Sequence, residues 1–272
     1  MFTEQDTEQY YDHKDDLYRS FWDPAGGLHY GYFPDPTAER SQSTAEQLLT
    51  AFRDWDEELL ARSGITGSST VLDVGCGNGT TSVWLARHTG CQVTGIDLSQ
   101  VRTDNARRLG ETNPDARVTF RKASATDIPY SDGAFSHAWS QATLYHVHER
   151  SRALAEVHRV LRDDGVFAFD DLTTPRTPVG PTSQRLIYDR LLFEPTFSAE
   201  QYVARLAGAG FEVEDTIDLS RHLKGTYELL VKQVTALAPE LAVPYQAMID
   251  GIDAGEVGWS GFTCRKVARH AA

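Results

Sequence analysis

The stretch Val71-Leu72-Asp73-Val74-Gly75-Cys76-Gly77-Asn78-Gly79 constrains this chain more than any other. Apolar β-formers run into an acid, glycines follow at alternate positions, and Ser82-Val83-Trp84-Leu85-Ala86-Arg87 opens a helical pattern directly after. That is the pattern of strand, tight turn and helix. Glycine is needed where the chain takes positive φ or where a ligand lies against bare backbone. Three glycines between a buried strand and a helix N-terminus therefore predict a cofactor loop. An ordinary turn would not need three glycines and an acid together. Dinucleotide-binding turns use the spacing G-x-G-x-x-G, and here Thr80 stands where the last glycine would fall, which disfavours a nicotinamide enzyme.

Around this turn the pattern alternates. Strands are expected over 70–74, 92–96, 117–121, 134–139 and 166–169, with helices over 81–88, 99–109 and 150–161 between them, and a helix over 41–63 in front. Strands separated by helices of this length imply a doubly wound parallel sheet. Beyond Asp171 a proline-rich stretch, 172–180, is expected to loop over the carboxyl ends of the strands, where open α/β sheets keep their ligands. Helices over 184–193 and 198–207, a sixth strand over 211–217, a long helix over 224–251 and a last strand over 259–267 would close the sheet with an antiparallel hairpin. No linker-like shift in composition divides the chain. Residues 1–40 are read as an N-terminal aromatic lid segment, and 41–272 as one core with a cap insertion at about 172–200.

The run D-x-G-x-G-x-G from Asp73 to Gly79 resembles motif I of the class I S-adenosylmethionine-dependent methyltransferases. The resemblance implies a Rossmann-like, doubly wound α/β sheet of seven strands with an antiparallel last strand. It also implies S-adenosyl-L-methionine as cofactor, held by Asp73, Gly75, Gly77, Asn78 and Gly79. Asp97, followed by Leu98 at the end of the second strand, would accept both ribose hydroxyls. After the third strand the family carries a Gly-Asp-Ala-x-x-Leu-Pro-like segment whose acid meets the adenine amino group. Here Ala123-Ser124-Ala125-Thr126-Asp127-Ile128-Pro129 puts Ser124 in place of that acid, so Ser124 with Ala125, or else Asp127, would read adenine. The segment Ser140-Gln141-Ala142-Thr143-Leu144-Tyr145-His146-Val147 resembles the lining of the methyl-transfer site in ubiquinone and sarcosine/dimethylglycine methyltransferases, which brings in Gln141 and His146. The stretch 150–165 resembles their E-x-x-R-V-L-x-x-G-G helix and turn, with Asp164 at the first glycine.

From Tyr10 the N-terminal segment is aromatic: Tyr10, Tyr11, Tyr18, Phe21, Trp22, Tyr30, Tyr32 and Phe33, broken at Gly26-Gly27 and at Pro34-Asp35-Pro36. A lid is expected, with the rings of Tyr11, Tyr18, Trp22, Tyr30 and Tyr32 near the positive charge of the reaction. The plainer reading is an arm that covers the sheet edge or joins a second copy of the chain into a homo-oligomer. His146 is a candidate proton acceptor, although a hydrogen-bonded structural histidine fits the residue equally. Asp170 and Asp171, at a strand's carboxyl end, are candidate substrate contacts.

A formal net charge of −13 and a pI near 5.1 speak against a nucleic-acid partner. The basic run from Arg102 to Arg108 reads as solvated helix surface. No apolar run reaches the length of a membrane span, and the acidic N-terminus is unlike a signal peptide, so a cytoplasmic protein is expected. Cys76, Cys91 and Cys264 are scattered, and His146 and His148 find no third ligand, so neither a disulfide framework nor a metal is expected. The function expected is methyl transfer to carbon or nitrogen of a small natural-product acceptor, such as an indole or prenyl group. A glycine-betaine-type amine N-methyltransferase, with a compact carboxylate-binding pocket containing an Arg, is the alternative, and a non-catalytic cofactor-binding scaffold is another.

Overall fold

Seven strands form one sheet in the order β3-β2-β1-β4-β5-β7-β6. The computed structural model describes residues 2–34 and 43–267. Strands β1 (Thr70–Val74), β2 (Gln92–Asp97), β3 (Val118–Lys122), β4 (Phe135–Gln141) and β5 (Leu161–Thr173) are parallel. The last strand, β7 (Gly258–Lys266), enters antiparallel between β5 and β6 (Phe211–Asp218). Asp73 lies in register with Gly95 of β2 and Trp139 of β4, so the glycine turn leaves the middle of the sheet.

The helices are α1 (Glu4–Phe21), α2 (Thr44–Ser63), α3 (Thr80–Thr89), α4 (Gln100–Glu111), α5 (Arg150–Val160), the short α6 (Pro181–Ser183), α7 (Ala199–Ala209), α8 (Ser220–Leu237) and α9 (Ala242–Asp253). They cover both sides of the sheet. One side packs Phe52, Trp55, Leu59 and Leu223 against Trp139 and Trp259, and the other packs Leu154, Val157, Tyr202 and Leu206 against Phe167 and Phe169. Each of these two layers buries the apolar stripe of amphipathic helices, the main stabilising contribution in such a fold.

Three elements differ from the sequence reading. The single helix expected over 224–251 is two, separated by a 3₁₀ turn at Pro239–Leu241. Pro239 has no N–H and forces its predecessor out of the helical region, and Ala238 sits at φ −149, ψ 67. Apolar periodicity continues on both sides, which hid the break. Strand β5 is longer than expected because β7 pairs with it as far as Thr173↔Gly258. The helix expected over 184–193 is a π-turn at Gln184–Tyr188 that continues α6. Asp35, Pro36 and Ser41, placed by the sequence reading at a chain break and a helix start, lie outside the described residues.

Helix α1 begins with a capping box in which Thr3 and Asp6 satisfy each other's backbone N–H groups. Its first half lies over the carboxyl ends of β1, β2 and β3. Its second half turns Tyr18 and Phe21 into the core, beside Trp22 and Tyr245.

Candidate active site

A cavity opens at the carboxyl ends of β1, β2 and β4, with α1 as its outer wall. It encloses about 1060 Å³ with its open mouth included. Gly75 and Gly77 shape its floor in different ways. A Cβ on Gly75, at φ +78, would stand 2.2 Å from the Thr143 side chain, so only glycine lets the turn pass the β4 loop there. A Cβ on Gly77, at φ +53, would meet only Arg102 Nη1, at 4.0 Å, and the Gly77 N–H donates to Asp97 Oδ2 at 2.9 Å. Asp97 Oδ1 accepts from the Ser99 N–H at 2.8 Å. This carboxylate is therefore fixed at the cavity edge by two backbone donors. Burial pushes its pKa up, and the Arg102 guanidinium opposes that rise.

Asp73 is buried at the end of β1 and accepts from the Ser82 hydroxyl. Burial pushes its pKa up to about 7, helped by the nearby Asp97 and Asp56 carboxylates, so a cation placed beside it would be favoured. At the other end of the cleft, Ser124 and Ala125 line the wall with Leu98.

The wall that α1 contributes is polar where aromatic rings were expected. Glu4, Thr7, Glu8 and Tyr11 line the cavity. Glu4 accepts from Ser124, Glu8 pairs with Lys122, and Asp12 accepts from the Ser99 hydroxyl. Asp15 accepts from Asn78 at 2.9 Å and Asn105 at 3.1 Å, and lies 3.3 Å from Arg102. Arg102 is only 6% exposed, with its guanidinium 4.0 Å from the Tyr11 ring centroid. The helix is thus fastened across the cleft by a row of charged and hydrogen-bonded contacts.

Where β4 ends, Gln141, Ala142, Thr143, His146 and Val147 face Tyr11 and His29. The Tyr11 hydroxyl is hydrogen bonded to His146 Nε2. Burial, reinforced by Arg102, pushes the His146 pKa down to about 3, so the imidazole is neutral, and in its Nδ1–H tautomer Nε2 accepts from the Tyr11 hydroxyl. Gln141 is locked by Asp56, to which it donates at 3.0 Å, and by the Trp139 indole.

Of the residues expected at the site, the structure brings together Asp73, Gly75, Gly77, Asp97, Leu98, Ser124, Ala125, Gln141, His146 and Tyr11. Gly79 and Asn78 do not line the cavity. Gly79 backs onto Phe120 and Ala106, and the Asn78 amide is held by Asp15 and the Gly26 carbonyl. Tyr18 and Tyr30 are core residues. Tyr18 continues the Glu4, Tyr11 stripe, but two turns or about 10 Å further on, where α1 has passed the cavity; its hydroxyl meets that of Tyr10 at 2.6 Å. Tyr30 packs on Trp259 and Tyr227, Trp22 stacks near Phe52, and Tyr32 lies on His222. Asp170 and Asp171 are structural. Asp170 accepts from the Trp55 and Trp259 indoles, and Asp171 from the Tyr202 hydroxyl and the Tyr145 N–H.

The sequence reading missed Glu4, Glu8, Thr80, Thr81 and Arg102 as cavity residues, whereas Gly26, Gly27, Leu28 and His29, in the segment expected to cover the site, do line it. Arg102 had a signal. Ser99 caps α4, and the third residue after a cap lies in the first turn, facing the loop that precedes it. The acidic spacing Glu4, Glu8, Asp12, Asp15 was likewise a helical stripe in plain view.

A family model described as a methyltransferase domain matches residues 72–169. An O-methyltransferase of Penicillium expansum is 31% identical over 242 residues, 88% of this chain and 84% of that protein. A sarcosine/dimethylglycine N-methyltransferase of Halorhodospira halochloris is 30% identical over 279 residues, 95% of each chain. Among solved structures, the [4+2]-cyclase SpnF is 27% identical with a TM-score of 0.78, over 98% of this chain and 97% of that one. A geranyl diphosphate C-methyltransferase from Streptomyces coelicolor, solved with S-adenosyl-L-homocysteine, is 21% identical and alike in fold, with a TM-score of 0.82 over 97% of each chain. The cavity suits that ligand class: bare backbone at Gly77 beside a fixed carboxylate, and buried acids that favour a cation. With a seven-stranded sheet closed by an antiparallel strand and these relatives, the chain belongs to the class I S-adenosyl-L-methionine-dependent methyltransferases that act on small molecules.

Proposed function

We propose that the chain methylates a hydroxyl oxygen of a small, natural-product-like acceptor. The observation that carries this reading is the hydrogen bond between the Tyr11 hydroxyl and neutral His146 Nε2 in the cavity wall. It places a hydroxyl and an acceptor nitrogen where β4 ends, beside Gln141 and Ala142. Asp97 would grip the ribose, Gly75 and Gly77 would pass under the cofactor, and Asp73 would lie near its ammonium. The cofactor supplies an electrophilic methyl group on a sulfonium. The acceptor oxygen would sit beside Tyr11 and, as the C–O bond forms and the S–C bond breaks, pass its proton to the Tyr11 oxygen while the Tyr11 proton moves to His146 Nε2. A pKa near 3 suffices for that role, because an oxygen that has gained a methyl group while keeping its proton is a strong acid.

The expectation of carbon methylation rested on aromatic faces around the methyl axis. Of the five rings named, Tyr11 alone lines the cavity, which removes that support. A second reading, an amine acceptor, is favoured by the N-methylating relative.

Formation of S-adenosyl-L-homocysteine, followed across matched phenols, alcohols, amines and amino acids, tests the proposal. Turnover of hydroxyl compounds, slowed about 10²-fold by His146→Ala while cofactor affinity is kept, is the result expected. Turnover of amines alone, or a His146→Ala variant as fast as the parent, would overturn it.

A further inference from the structure

The position that should read the adenine ring lacks its acid in this chain. Sequence resemblance puts an acid at the position of Ser124, and the chain has no acid there. Asp127, the nearest substitute along the chain, is exposed and does not line the cavity. A carboxylate is nevertheless present at that spot, brought by α1. Glu4 Oε1 accepts from the Ser124 hydroxyl, and from the Thr126 hydroxyl at 3.2 Å. Glu4 lines the cavity next to Ser124 and Ala125, and its Oε2 has no hydrogen-bond partner among the described residues.

We infer that Glu4, held by Ser124 and Thr126, accepts the hydrogen bond of the adenine 6-amino group in place of the missing strand-end acid. The two hydroxyls use one carboxylate oxygen and fix the rotamer, which leaves the other oxygen for an N–H donor. A 6-oxo purine would turn an acceptor toward that carboxylate, so the same contact discriminates between bases by repulsion as well as attraction. Because Glu4 is in the first turn of α1, the adenine end of the cofactor also fastens the lid. The inference rests on the cofactor assigned to this cavity.

Calorimetric titration with S-adenosyl-L-homocysteine and with its 6-oxo analogue S-inosyl-L-homocysteine tests it. A charge-assisted hydrogen bond contributes enough that the unaltered protein should prefer the 6-amino ligand by about tenfold or more. Glu4→Ala should reduce the preference to about threefold or less, and adding Ser124→Asp to that variant should restore it by returning the acid to the strand end. The ratio of the two affinities is the readout, so a general loosening of α1 does not imitate the effect. An unchanged preference in Glu4→Ala, or no restoration by Ser124→Asp, would overturn the role of Glu4 alone. Failure of the unaltered protein to bind S-adenosyl-L-homocysteine would overturn the cofactor assignment beneath it.

Discussion

At the scale of single residues the site turns on one buried acid, Asp73, at the end of β1. Asp73 has a pKa near 7 because it is buried, with Asp97 and Asp56 nearby. An ammonium beside it would favour the carboxylate, so binding should release a proton. The affinity for S-adenosyl-L-homocysteine is expected to rise between pH 6 and pH 8 and then level off, and Asp73→Asn should flatten the rise; calorimetry in buffers of different ionisation enthalpy reads the proton directly. A pH-independent affinity in the unaltered protein would contradict this. Residue identity was legible wherever backbone geometry demands it. Gly75 could be read from the sequence because no Cβ fits beside Thr143. Asp164, which stands at a glycine position of the family, does take the left-handed backbone, at φ +60. Arg102 was legible only in part: the Ser99 cap places it in the first turn of α4, but its burial depends on Tyr11 and Asp15, which approach from a helix some ninety residues away in sequence, and a local pattern carries no trace of that approach.

At the scale of elements, α1 is where the sequence reading and the structure part most. Aromatic content suggested rings over the reaction centre. Instead, the helix divides along its length: the first three turns present Glu4, Glu8 and Tyr11 to the cavity, and the last two bury Tyr18 and Phe21. Aromatic residues reveal that a segment packs, but not on what, since the same rings suit a core and a ligand wall. The two halves should differ in stability. The first half is held by polar contacts such as Glu8 with Lys122, half-exposed and individually weak, whereas the second is anchored in the aromatic core. Hydrogen exchange should therefore show fast amide exchange over residues 4–11 and slow exchange over 16–21, and S-adenosyl-L-homocysteine should protect the first stretch. Equal exchange along the helix, unchanged by ligand, would remove α1 as a lid.

For the whole molecule, the alternating pattern made the sheet readable because each βα unit carries its own periodicity and turn signals. The sequence reading had the last strand antiparallel, but its insertion between β5 and β6 is a tertiary choice that no local pattern carries. The buried titratable groups also make stability depend on pH. Asp73, Asp170 and Asp171 have pKa values raised to about 7, 6 and 7, so the folded state holds protons that the unfolded chain has lost, and the stability they contribute is present below pH 4 and disappears as pH rises through 6 to 7. His137, His146 and His222 are lowered to about 4, 3 and 4. The unfolded chain therefore binds protons there first, and stability falls as pH drops below about 6.5. The two sets nearly cancel between pH 4 and pH 6, so thermal unfolding of the ligand-free protein should be nearly level there and its midpoint should fall from pH 6 to pH 8; a midpoint that climbs steadily from pH 6 to pH 8 would contradict the burial of the three acids.

The claim beneath all of this is that the floor of bare backbone at Gly75 and Gly77, with Asp97 at its edge, seats a sulfonium nucleoside. Isothermal titration of the protein with S-adenosyl-L-homocysteine and with NAD tests it most directly. One-to-one binding of the first, weakened about tenfold or more by Asp97→Asn, with no heat from NAD, is the predicted result. Binding of NAD in its place, or S-adenosyl-L-homocysteine binding that Asp97→Asn leaves unchanged, would contradict it.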